Sequence, residues 1–268
     1  MALQLKTVPP PQGARWLRDG FRLFARAPLA FSLMFVVFLA AAVISSAIPL
    51  VGPLLMLAAL PMLSLGFMVA AESALGGGPV HPGQFVTPLR GDAARRRSLL
   101  VLCGVYGLAT IAIMLLSDWV DGGAFDRLQR LMAEGDKAAE IDALVSEPSF
   151  TWGLLVRFGL ATLLSLPFWH APALVHWGAQ RPAQALFSST LAVWRSKGAF
   201  LVYSLAWLGI IVLFGVVTAL MFRLLGAGQM AGLIALPAGL IFSTVFYVSL
   251  LFTFNDSFGG TSAVVKEP

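Results

Sequence analysis

At 268 residues, with 58% hydrophobic and only 12% charged residues and a mean hydropathy of +0.85, the chain lies outside the range of soluble globular domains and of disordered segments. Its single cysteine, Cys103, excludes an intramolecular disulfide. The formal net charge of +5 does not mark a nucleic-acid binder, because the basic residues border apolar runs as orientation signals do in membrane proteins.

The first element predicted is an amphipathic helix over 13–26. At about 100° per residue, Arg15, Arg18, Arg22 and Arg26 share one face, and Trp16, Leu17, Phe21, Leu23 and Phe24 share the other. Such a helix is expected to lie in the cytoplasmic headgroup layer, its rings at the acyl boundary and its arginines against anionic phosphates. It serves either as an orientation anchor or as a specific lipid or partner site.

A membrane helix needs about 20 mostly apolar residues. Six runs meet or approach that length: 27–47, 50–75, 99–116, 152–177, 199–222 and 230–254. They are continuously apolar rather than alternating, which excludes a barrel wall and predicts an all-α, polytopic membrane protein. The first two runs meet at a short turn with Pro49, so they form an antiparallel hairpin. Pro61 interrupts the second, and Gly76-Gly77-Gly78-Pro79 ends it. No strand precedes that glycine triplet and no Gly-Lys-Ser or Gly-Lys-Thr follows, so it is not a phosphate-binding loop.

The approach to the fifth run repeats the approach to the third. Pro82, Gln84 and Arg95 match Pro182, Gln184 and Arg195, and 13–39 is a looser third copy. The plan read from this is three helix-pair repeats, each entered through a basic segment. Arg95, Arg96 and Arg97 join the first arginine row as candidate anionic-lipid contacts. With Lys266 they put both termini in the cytoplasm by the positive-inside rule.

Residues 117–149 then form a periplasmic acidic insert, with eight acidic and three basic residues. Phe125, Leu128, Leu131, Met132, Ile141, Leu144 and Val145 recur at helical spacing, which predicts two short helices broken around Gly135. Their apolar face is expected to cap the membrane helices; the insert is alternatively a docking surface for a protein partner. Arg157, one or two turns inside the fourth run, is expected to snorkel to the interface. Gly228, Gly232, Ala235 and Gly239 give the sixth run a small-residue stripe for close helix packing.

No metalloprotease, nucleophile-elbow or paired-cysteine motif is present, so no enzyme and no cofactor is expected. His170 and His176 are six apart, which does not suit a zinc site on one helix. The candidate site is a proton or cation cluster of Glu72, His170, His176 and Asp256, near the cytoplasmic ends of the second, fourth and sixth runs. Against it stands the simpler reading that carboxylates at helix ends meet water.

The opening Gly-Ala-Arg-Trp-Leu-Arg-Asp-Gly-Phe-Arg-Leu-Phe (13–24), leading to Pro28 with three helix pairs behind it, resembles a family of uncharacterised six-helix inner-membrane proteins of proteobacteria. The resemblance implies an inner-membrane location and a helical fold, and transfers no catalytic residues. Two functions follow as expectations: a non-catalytic envelope scaffold, assembly or lipid-organising protein, or a small-solute or cation transporter. A polar midplane cavity would favour transport, and a dry interior the scaffold.

Overall fold

The computed structural model describes residues 3–48, 51–135, 137–225 and 231–259. Pro49, Asp136, Gly228 and the tail with Lys266 lie outside the described residues. Eleven α-helices follow one another among those described: α1 (Gln12–Phe24), α2 (Pro28–Ser46), α3 (Val51–Leu75), α4 (Ala93–Asp121), α5 (Ala124–Glu134), α6 (Ala138–Val145), α7 (Pro148–Phe168), α8 (Ala171–Gly178), α9 (Pro182–Arg195), α10 (Lys197–Leu224) and α11 (Ala231–Phe258). Two 3-10 turns, Pro82–Phe85 and Thr87–Arg90, precede α4. Six helical runs are long and apolar enough to cross a membrane: α2, α3, α4, the α7–α8 pair, α10 and the described part of α11.

The buried side chains gather at the end of the bundle that carries residues 3–10. Trp16, Phe31, Phe67, Leu99, Leu174, Tyr203 and Phe254 form one cluster there. Farther along the same helices, Leu108, Leu115, Leu163, Leu213 and Val216 face outward. In water that distribution would be costly, but lipid tails solvate leucine as well as another helix does. The N-terminal segment runs under this packed end. The Lys6 N–H donates to the Ser257 carbonyl at 2.8 Å, and the Val8 N–H to Ser196 Oγ at 3.0 Å.

Helix α1 departs from the sequence expectation. Its arginines do face outward, but its rings are inside the protein rather than at a lipid boundary. Gly13 abuts Ala199 and Tyr203, Trp16 packs on Phe200, and Phe21 lies against Trp207, so successive turns of α1 follow successive turns of α10. On its other side Gly20 sits against Ser249 and Val245 of α11. The helix therefore runs lengthwise in the seam between α10 and α11. The glycines permit this approach: a Cβ on Gly20 would stand 2.7 Å from Ser249 Cβ, and one on Gly13 would stand 2.7 Å from the Tyr203 nitrogen. Rings are exposed on α9 instead, where Phe187 and Trp194 point outward and Lys197 Nζ lies 5.4 Å from the Trp194 ring centre.

The approach segments also differ from one another, since the stretch before α4 forms two 3-10 turns where the matching stretch before α10 forms α9. Pro88 and Gly91 explain this, because proline lacks the N–H a continuing helix needs. Helix α4 is longer than the run 99–116. Asp92 caps it by accepting from the Arg95 N–H at 2.8 Å, which draws Arg95, Arg96 and Arg97 into its first turns. At the far end Gly122, with φ of 61°, turns the chain out of α4.

The fourth run is broken between α7 and α8. The Leu166 carbonyl would normally accept from the His170 N–H; instead Ser189 Oγ of α9 stands between them, accepting from His170 N–H and donating to Leu166 O, each at 3.0 Å. The inserted hydroxyl satisfies both freed backbone groups, and Pro172 starts the new helix. Two short helices do flank Gly135 as the spacing predicted, with Phe125, Leu128, Leu131 and Leu144 packed against Phe150 and Leu154. Lys137 ties them through Glu134 at 2.8 Å and Glu140 at 3.6 Å, a pairing that holds the Glu134 carboxyl below its usual range.

A Gly13→Ala substitution should lower thermal stability in detergent by about 1–3 kcal/mol, because its methyl group meets α10 backbone that a side chain cannot sidestep. Replacing the exposed neighbour Ala14 by serine should leave the melting temperature within experimental scatter.

Candidate functional site

Three rungs on the last turns of α11 hold the packed end together. Ser249 Oγ donates to the Phe246 carbonyl and receives the Tyr203 hydroxyl of α10 at 2.6 Å. One turn on, Thr253 Oγ1 donates to the Leu250 carbonyl and so can only accept from its other neighbours, Trp169 Nε1 at 3.2 Å and His170 Nε2 at 3.1 Å. The network thus assigns the His170 proton to Nε2. Last comes Asp256, whose Oδ2 accepts from both Gln12 Nε2 and Trp16 Nε1, each at 2.7 Å.

Of the four residues in the candidate cluster, His170 and Asp256 both belong to this spine but serve different partners. His170 is fully buried between Phe200, Phe254 and Phe258, facing Thr253. Asp256 faces α1. His176 stacks edge-on with Trp177, and Glu72 lies half-buried near the end of α3. Among the described residues no three His, Cys, Asp or Glu side chains come together as a metal ion would require. The spine itself had a sequence signal: Ser249 and Thr253, four apart in an apolar run, place hydroxyls on one face of a membrane helix.

At the opposite end, Arg157 does not snorkel. Its Nη2 lies 2.6 Å from Asp118 Oδ1 and 4.0 Å from Asp121 Oδ2, and its guanidinium sits 4.0 Å from the centre of the Phe125 ring. With the Arg157 side chain only 12% exposed, an inter-helix ion pair replaces the lipid headgroup as its partner. The reason lies in α4, which continues far enough to bring Asp118 and Asp121 to the side of α7, where Gly153 leaves room for Asp121.

Between α3, α4, α7 and α11 is a cavity of about 130 Å³ beside Pro61, Tyr106, Phe168, Trp169 and Tyr247. Its lining contains no charged residue, and the hydroxyls of Ser64 and Ser165 donate to carbonyls of their own helices. The same Trp169–Phe246–Tyr247 wall backs a second hollow of about 510 Å³ between α10 and α11. The arginines expected to meet anionic lipid are divided. Arg15, Arg18, Arg22, Arg26, Arg96 and Arg97 are exposed, whereas Arg95 is half-buried beside Asp92.

Six membrane-length helices fastened by a polar spine and an inter-helix ion pair define a polytopic, α-helical membrane protein. No family model and no solved structure matches the chain. It is 34% identical over 270 residues to a probable inner membrane protein of Burkholderia thailandensis, a match that covers 99% of this chain and 96% of that one. The chain belongs to the same family and is a multi-pass inner-membrane protein.

Removing the Asp256 acceptor should loosen α1. Asp256→Ala is expected to cost about 2–4 kcal/mol, because it leaves the Trp16 N–H buried without a partner, and to red-shift tryptophan emission. Asp256→Asn, which keeps an acceptor oxygen, should lose clearly less; an unchanged melting temperature in Asp256→Ala would mean that the carboxylate does not fasten α1.

Proposed function

We propose that this protein is a non-catalytic scaffold that organises anionic phospholipid around the end of the bundle carrying residues 3–10, and that this end faces the cytoplasm. The observation that carries the reading is the burial of α1. With its apolar face fixed in the protein, Arg15, Arg18, Arg22 and Arg26 stand in one exposed row instead of drifting on a mobile amphipathic segment. Arg96 and Arg97 add exposed charge at the start of α4. Each basic group near an anionic leaflet contributes about 1 kcal/mol, and a preformed row loses little entropy on binding. The acidic insert over 117–149 is the second contact face in this reading, suited to a basic protein partner.

The alternative is a small-solute or cation transporter using the carboxylates and imidazoles near the ends of α3, α8 and α11. The uncharged lining of the central cavity and the commitment of Asp256 to α1 favour the scaffold.

Protein extracted in mild detergent should retain phosphatidylglycerol and cardiolipin. Changing Arg15, Arg18, Arg22 and Arg26 together to glutamine should cut that retention at least about threefold. Proton or cation flux in proteoliposomes that disappears on Asp256→Asn would instead establish the transporter. For orientation, a cysteine introduced at exposed Glu134 should react with an impermeant maleimide added to intact spheroplasts; protection there would reverse the topology.

A further inference from the structure

Three of the eight buried side-chain atoms without a hydrogen-bond partner among the described residues, Arg95 Nε, His176 Nδ1 and Gln180 Oε1, fall at one corner of the bundle. A cavity of about 250 Å³ opens there between the start of α4 and the α8–α9 junction, bordered by Asp92, Arg95, Ser98, Gln180 and Arg181. Native proteins leave few buried polar atoms unpaired, so such clustering calls for a cause.

The chain is bent to build this corner. Ala179 has φ of 50°, the one positive value at a non-glycine among the described residues, and it ends α8 so that Gln180 and Arg181 border the cavity across from α4. A left-handed alanine is strained, since its Cβ crowds the following carbonyl oxygen. Arg181 then begins α9 without any side-chain cap on that helix's first N–H groups. Across the cavity, the Arg95 guanidinium meets Asp92 only in a long ion pair, with no hydrogen bond to its Nε. Asp92 commits Oδ1 to capping α4, and its Oδ2 stays 3.8 Å from Arg95 Nε. Arg95 and Arg181 against Asp92 leave the cavity lining one positive charge in excess, and the Arg95 Nε–H has no hydrogen-bond acceptor.

We propose that this cavity is a phosphate-oxyanion site in which Arg95 and Arg181 supply the charge and the Ser98 hydroxyl a neutral donor. Arginine suits the task, because its planar fork grips two phosphate oxygens at once. The oxyanion belongs to a phospholipid headgroup or to free phosphate; both present the same tetrahedral group. As a headgroup pocket the site deepens the lipid-organising reading, yet it involves none of the α1 arginines, so either can fail alone.

The test uses full-length protein, delipidated in maltoside detergent, and follows its melting temperature against sodium phosphate, sodium chloride at matched ionic strength, and dihexanoyl phosphatidic acid. Anything that binds the folded state raises its apparent stability by mass action. Phosphate should give a saturable rise that chloride does not. Arg181→Gln should move the half-saturation point up by about tenfold, Arg181→Lys by less, and Arg223→Gln, an exposed position at the far end of α10, not at all. Arg181 is exposed, and each variant's melting curve in chloride reports its folding. Half-saturation by the short-chain lipid well below that of phosphate identifies a headgroup site, and the reverse order a free-phosphate site. Identical curves in phosphate and chloride, or an unchanged half-saturation point in Arg181→Gln, would overturn the proposal.

Discussion

One oxygen of Asp256 fastens the beginning of the chain to its end. In a bilayer, helices gain nothing by hiding leucine from one another, since the lipid is as apolar as the partner helix. What draws them together is close packing and the hydrogen bonds that lipid cannot offer. Asp256 supplies the second to α1 through Gln12 and Trp16, while Gly13 and Gly20 supply the first. The other rungs of α11 repeat the device, Thr253 for the α7–α8 corner and Ser249 for α10. The packed end is thus a set of elements each bonded to one polar face of one helix.

That dependence accounts for the broken fourth span. A continuous helix there would carry His170 past Thr253 with its backbone N–H already spent on Leu166. Diverting that N–H to Ser189 lets α8 turn into the packed end, and the hydroxyl supplies both missing partners at once. Proline at 172 makes the break cheap, because its own N–H is missing in either geometry.

The six spans were legible in the sequence because length and continuous apolarity are local properties, and the bilayer sets the threshold. The two insert helices were legible for a similar reason, with Gly135 marking the break. Partner choice was not. The pattern over 13–26 shows an apolar face opposite four arginines, and nothing local says whether lipid or protein covers it; tertiary packing decided for protein through two glycines and a distant carboxylate. Arg157 misled in the same manner, since its depth favoured snorkelling only while Asp118 was placed in a loop. Once Asp92 and Gly122 set the ends of α4, Asp118 became a helical residue within reach. Of the candidate cluster, the sequence pattern marks His170 and Asp256 as members of a proton or cation site, whereas the fold bonds them to Thr253 and to Gln12 and Trp16, which no motif would connect to them.

The two polar fastenings sit at opposite ends. Asp256 and its neighbours bind one end, the Arg157–Asp118 pair binds α4 to α7 at the other, and the stretch between is held by side-chain packing. There α10 and α11 part, leaving hollows of about 510 and 470 Å³ along their seam. Such apolar hollows in a bilayer are filled by acyl chains, which then make the dispersion contacts a neighbouring helix would otherwise make. A bundle fastened at its ends and completed by lipid along its middle is sensitive to the lipid it sits in. The exposed arginine row on α1 lies beside the very helices whose seam those chains would fill, so on the proposed lipid-organising role headgroup contact and acyl-chain packing would be coupled through one small region of the fold.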